Sequence, residues 1–130
     1  MRLFACPWAP MTYIPPMSSG PLTVVETPQF LSQANAVWTE AEREEFVDFI
    51  ARNPETGDVI PGSGGVRKVR WRRRGMGKRG GARVIYFYYN VTTPLYLLMV
   101  YAKAEREDLT VDAKKAVSEF AVRIKRAARQ

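Results

Sequence analysis

The stretch VRKVRWRRRGMGKRGGARVIYFYY, residues 66–89, decides how this chain is read. Two β-prone segments, residues 66–72 and 83–89, flank a glycine-rich turn. Strand side chains alternate between faces with period two. In the first segment Val69 and Trp71 therefore point one way, while Lys68, Arg70 and Arg72 point the other. In the second, Ile85, Phe87 and Tyr89 share one side and Val84, Tyr86 and Tyr88 the other, so both of its faces need cover. A hairpin with a core face and a basic face is the expectation.

Charge gives that hairpin a partner class. Nine cations (Arg67, Lys68, Arg70, Arg72, Arg73, Arg74, Lys78, Arg79 and Arg83) fall within residues 66–83 with no Asp or Glu among them. The whole chain carries 20 Lys+Arg against 13 Asp+Glu, a net +7, so the excess is local. No acid in the block offsets the repulsion along Lys68, Arg70 and Arg72, which favours a phosphate-rich partner over a merely solvated face. Binding driven this way weakens steeply with salt. Residues 75–80, GMGKRG, spell G-x-G-x-x-G, but a dinucleotide site needs a strand before the motif and a helix after it. Here a strand follows, so the glycines read as a turn offering Lys78 and Arg79 to phosphates, and no cofactor is implied. The run Tyr86-Phe87-Tyr88-Tyr89 lacks the pattern of sheet-based RNA readers and reads mainly as core.

Outward from the hairpin, residues 22–26 (LTVVE) are short and β-branched, an initial strand. Thr27-Pro28 then supplies an N-cap and a first-turn proline for a helix over 28–38. Thr39 and Glu42 form a T-x-x-E capping box that restarts a second helix, with Phe46, Val47, Phe49 and Ile50 as its apolar stripe. The acids Glu40, Glu42, Glu44, Glu45 and Asp48 read as a solvated, dipole-stabilised face rather than a catalytic group. Asn53-Pro54 ends that helix, and PETGDVIPGSGG is a turn-rich connection. Residues 95–103 form a further apolar strand, and a final helix begins near Thr110 with Val117, Phe120, Ala121 and Ile124 on one face. The order β-α-α-β-β-β-α predicts an α+β domain with helices packed on a twisted, mainly antiparallel sheet.

At 130 residues the chain fits one domain. Residues 1–21 hold five prolines and show no period, so an irregular tail is expected there, followed by a domain over 22–130. Prolines interrupt any apolar core of a secretion signal in that tail. The single Cys6 forms no intramolecular disulfide and no His exists for a metal set, which points to a reducing, cytoplasmic setting. The longest apolar run, residues 95–102, is far short of the roughly 20 residues a membrane-crossing helix requires, so no membrane partner is expected.

Taken together, VVETPQF, ARNPETGDVIPGSGGVRKVRW, GKRGGARVIYFYY and LYLLMVYAKAEREDLT resemble RelE/HigB-like toxins of bacterial type II toxin–antitoxin modules, nearest the HigB type. The resemblance implies a compact antiparallel sheet with helices packed on it. It also implies a ribosome-dependent endoribonuclease acting on translated mRNA, and a cognate antitoxin, often of helix-turn-helix type. Residue by residue, it maps Lys68 and Arg70 to the basic positions of the second strand, Arg83 to the arginine opening the next, and Lys103 to the lysine closing the sheet. Those four are the expected catalytic residues, with Arg72, Arg73, Lys78, Arg79 and Tyr101 as substrate contacts and no metal. Known members carry an arginine and a tyrosine where this chain has Ala104 and Thr110, so the general acid and base do not transfer.

RNA supplies its own nucleophile, a 2′-hydroxyl beside each phosphorus, leaving the protein to orient it, neutralise the phosphorane oxygens and move two protons. Guanidinium stays charged and binds oxygens in pairs, which suits Arg70 and Arg83 to a phosphate clamp. With no histidine, a lysine among the arginines is a candidate proton carrier, Lys68 or Lys103 first, with Tyr101, Lys78 and a group of the ribosome as the alternatives. Two other classes are compatible with the sequence: a toxin of the same superfamily that inhibits DNA gyrase, and a ribosome- or nucleic-acid-binding module without chemistry.

Overall fold

The computed structural model describes residues 21–72, 81–102 and 109–129. The expectations for the tail over residues 1–20, for the turn with Arg73, Lys78 and Arg79, and for Lys103 and Ala104 lie outside those residues. The elements run β1 (Val24–Glu26), α1 (Pro28–Val37), α2 (Glu40–Arg52), β2 (Asp58–Val59), β3 (Val66–Trp71), β4 (Ala82–Phe87), β5 (Leu95–Ala102) and α3 (Val111–Ala128). They build one five-stranded sheet in the order β1-β5-β4-β3-β2. All pairs are antiparallel except β1 with β5, which are parallel. The α+β class is as expected; β2, two residues inside the connection read as turns, is additional.

Local sequence sets the helix starts. Thr27 accepts from the Phe30 N–H with Pro28 next to it, Thr39 and Glu42 close a reciprocal capping box, and Thr110 accepts from the Ala113 N–H. Thr27 also donates through Oγ1 to the Leu97 carbonyl at 2.8 Å. The Gln33 Oε1 accepts from the Val100 N–H at 3.0 Å. Where β1 ends, Thr27 thus adds a side-chain bond to the last paired residue of β5, and Gln33 of α1 satisfies the Val100 N–H beyond the reach of β1.

The sheet is covered on both faces. Against α1 and α2 pack Trp71, Ala82, Val84, Tyr86, Leu95, Leu97 and Val100, meeting Phe30, Trp38, Phe46 and Ile50. Trp38 stacks on Phe46 at 5.3 Å between centroids, Phe46 meets Trp71 edge-on at 5.3 Å, and Phe49 lies 4.7 Å from Trp71. The Trp38 Nε1 donates to the Arg72 carbonyl at 3.0 Å, which fixes the end of β3 to the helices. On the opposite face Val66, Ile85, Phe87, Leu98, Met99 and Tyr101 form a second core with Val117 and Ala121 of α3.

A bulge divides β5 between these cores. Tyr86 pairs with Leu97 while Ile85 pairs with Met99, so Leu98 is an extra residue. The parity of side chains changes there: Leu95 and Leu97 lie on the α1–α2 side, and so does Val100, while Tyr101 joins the α3 side.

Tyr86, on the α1–α2 side, also holds the connection between α2 and β3. Its hydroxyl accepts from the Gly57 N–H at 2.8 Å and donates to the Pro54 carbonyl at 2.8 Å. A Cβ on Gly57 would sit 2.8 Å from the Tyr86 ring and 2.9 Å from the Lys68 carbonyl oxygen, closer than real side chains come. Burial, opposed by the Gly57 hydrogen bond and by Arg67, holds the phenol above its ordinary 10.0. Since the folded state keeps this proton more tightly than the unfolded chain, the stabilisation is full below pH 10.0 and is lost as pH rises through the folded value. Tyr86→Phe, which strands Gly57 N–H and the Pro54 carbonyl, is expected to lower urea-unfolding stability by about 1–3 kcal/mol at neutral pH. It should also remove part of the decline above pH 10.0, as repeated urea titrations across pH would show.

Candidate functional site

The cationic side chains of the hairpin do not all reach one place. Lys68 and Arg70 share the α3 face of β3 with Val66. Arg67, one residue out of phase, turns to the other side, where its Nη1 donates to the carbonyls of Gly57 at 2.8 Å and Glu55 at 3.2 Å. It braces a loop instead of facing a ligand. Arg72 follows the strand's end, and its placement differs from the alternation that grouped it with Lys68 and Arg70. Its guanidinium lies 3.0 Å from the Glu45 carboxylate of α2 and 5.1 Å from the centroid of the Trp71 ring. Both partners of that ion pair are about half exposed, so it contributes at most about 1 kcal/mol.

What remains is a compact row across three strands. Arg70 on β3 is directly opposite Arg83 on β4, and Arg83 is directly opposite Tyr101 on β5. The next row contains Lys68, Ile85 and Met99. Arg83 opens a strand in which every residue is buried, and it is itself only 7% exposed. Its Nη1 is buried and, among the described residues, meets no hydrogen-bond acceptor. The ion pairs among the described residues engage Arg43, Arg52 and Arg72, not Arg83 or Arg70. Tyr101, 2% exposed, stands beside Arg83 because the bulge at Leu98 reverses the parity of β5.

Two guanidinium groups facing each other across a ladder repel, and a buried charge without a counter-ion costs more still. An anion bound between Arg70 and Arg83 would relieve both costs, and a phosphate matches their paired donors. The structure thus brings Lys68, Arg70, Arg83 and Tyr101 together and sets Arg72 apart. Thr110, where the resembled toxins carry tyrosine, serves here as the N-cap of α3. Two charged residues near Lys68 escaped the sequence reading: Asp58, directly opposite it on β2, and Lys114 of α3, which lines one hollow with Lys68 and Asp58. The only signal for Asp58 was its place in a turn-rich segment, and Lys114 was one of several helix cations.

Arg83→Met tests the clamp by a readout separate from activity. Removing an uncompensated buried charge while keeping the length of the side chain should hold the unfolding free energy from urea titration or raise it, by up to about 1–3 kcal/mol. Added inorganic phosphate should stabilise the unmodified protein and not the variant. A loss of stability of the size expected for a core cavity would contradict the assignment.

No protein-family model matches the sequence. Among solved structures, the chain is similar to the E. coli toxin RelE, determined as a double arginine-to-alanine mutant in the free state. The TM-score is 0.53 at 16% identity, over 75% of this chain and 99% of that one. The protein therefore has a RelE-like fold, with the Arg70–Arg83 pair on the sheet face that α3 only partly covers.

Proposed function

We propose that the chain is the toxin of a type II toxin–antitoxin module, of the HigB type, and acts in the cytoplasm as a ribosome-dependent mRNA endoribonuclease. The observation that carries this reading is the opposed Arg70–Arg83 pair, buried on one side and without a carboxylate partner among the described residues, in a RelE-like fold. In the reaction the 2′-oxygen forms a bond to the adjacent phosphorus and the bond from phosphorus to the 5′-oxygen breaks. The 2′-hydroxyl gives up a proton, the departing 5′-oxygen takes one, and the products end in a cyclic phosphate and a 5′-hydroxyl. Arg83 and Arg70 hold the non-bridging oxygens as negative charge grows on them. Lys68, one row along β3, and Lys103 are the proposed proton carriers, with Tyr101 contacting substrate. Arg73, Lys78 and Arg79 extend the path of the RNA backbone, while Arg72 is held by Glu45 of α2.

The proposed partners are translating ribosomes with their mRNA, and a helix-turn-helix antitoxin that lays an acidic or amphipathic segment over the basic face. Thr110 as a helix cap favours a second reading, a ribosome binder without chemistry. Primer extension on mRNA from expressing cells separates the two, because a binder stalls translation without creating new 5′ ends. In a purified translation reaction Arg83→Ala should slow cleavage about 100- to 1,000-fold with the circular dichroism spectrum retained. Unchanged cleavage would contradict the assignment.

A further inference from the structure

The segment Gly62-Ser63-Gly64-Gly65, between β2 and β3, is fixed from within yet leaves donors unused. The buried Ser63 Oγ donates to the Ile60 carbonyl at 2.6 Å and accepts from the Val66 N–H at 3.0 Å, which closes the turn. Gly62 and Gly64 take φ of 75° and 79°, in the left-handed region. Both are exposed, and their N–H groups donate to no acceptor among the described residues. Open backbone N–H groups in such a turn attract anions. A cation already stands there: a Cβ on Gly64 would lie 3.5 Å from the Lys125 Nζ of α3 and 3.9 Å from the Ala121 Cβ.

Helix α3 connects this loop with the arginine pair. Near its other end Lys114 lines a hollow of about 270 Å³ together with Lys68 and Leu109, and Lys68 shares a face of β3 with Arg70. The helix therefore runs antiparallel to β3, from Lys68 toward Gly64. Lys114 and Lys125 are separated by three helical turns, about 16 Å, and stand almost in line along the axis. Among the described residues neither forms an ion pair. The acids of α3, Asp112 and Glu119, project at least about 120° around the axis from either lysine. Asp58 lines the hollow from β2, and its carboxylate turns a phosphate toward the α3 side. Arg83, Arg70, Lys68, Lys114 and Lys125 thus trace one course from the sheet to the glycine loop.

We propose that the seam between α3 and β3, ending at the Gly62–Gly65 loop, carries the phosphates of the RNA strand that leaves the Arg70–Arg83 clamp. The proposal rests on reading that pair as an RNA clamp and adds a second arm, besides the hairpin turn, with a defined end. Continuity favours RNA over an acidic protein segment. A strand held at the clamp must continue past it, and spaced cations match the regular spacing of its phosphates.

Anisotropy titrations with 2′-O-methyl oligonucleotides, which cannot be cut, test the seam on the whole protein. Lys114→Gln with Lys125→Gln should bind a nonanucleotide about tenfold more weakly and lower the slope of log affinity against log salt by about 1.4, two contacts at about 0.7 each. The same variant should bind a trinucleotide as the unmodified protein does, which also reports that it has folded. Lys115→Gln with Arg126→Gln, the same charge removed from the outer side of α3, should leave the slope unchanged. Three results would overturn the seam: a nonanucleotide slope unaffected by Lys114→Gln with Lys125→Gln, an equal fall from the outer pair, or a nonaglutamate peptide matching the nonanucleotide with the same loss. The last would assign the seam to an acidic protein segment. Trinucleotide binding that survives Arg70→Ala with Arg83→Ala would overturn the clamp instead, and the nonanucleotide slope would still decide the seam.

Discussion

Strand β4 is buried along its whole length, with α1 and α2 against one face and α3 against the other, and its only charge is Arg83. Everything that gives the molecule a site follows from holding that guanidinium in an apolar strand. The two cores fix β4 from either side, Tyr86 ties it to the loop after α2, and β3 pairs with it so that Arg70 is opposite Arg83. The aromatic cluster of Trp38, Phe46, Phe49 and Trp71 supports β3 from behind. The cations therefore stand on a rigid ladder rather than on a mobile surface, which is how a site keeps donors aimed at a developing charge. The energetic cost of the arrangement is repulsion and desolvation in the free protein, both of which the proposed phosphate would offset.

The elements legible in the sequence were those governed by local rules. Thr27-Pro28, the Thr39/Glu42 box and Thr110 announced three helices, and each threonine caps the helix it was read to start. The period of two in β3 separated Val69 and Trp71 from Lys68 and Arg70, because one side of that strand had to be apolar. Features that depended on distant partners could not be read. Two residues of β2 carry no period, so Asp58–Val59 could be found only through its pairing with β3. The bulge at Leu98 leaves no mark in an apolar run, yet it decides that Tyr101 faces Arg83. Arg72 leaves the expected basic face because the ladder has ended and Glu45 of α2 is within reach.

The site shows the same division. Charge and alternation singled out Lys68 and Arg70, but Arg83 sat in a strand whose two faces both looked buried, and only the pairing register sets it across from Arg70. The distinction between cations that brace the fold and cations available to a ligand is likewise tertiary. Arg67 and Arg72 engage the loop after α2 and α2 itself, whereas Arg70 and Arg83 do not. Charge density located the surface, the family resemblance named Arg70 and Arg83 for the proposed clamp, and register sets the two opposite each other.

The most direct measurement of the central claim is photochemical cross-linking on programmed ribosomes, with 4-thiouridine placed in the codon being decoded and the attached peptides identified by mass spectrometry. The account predicts adducts within β3, β4 and the turn joining them, lost when Arg70 and Arg83 are both replaced by glutamate. Adducts confined to the outer surfaces of α1 and α2, or unaffected by those replacements, would contradict it.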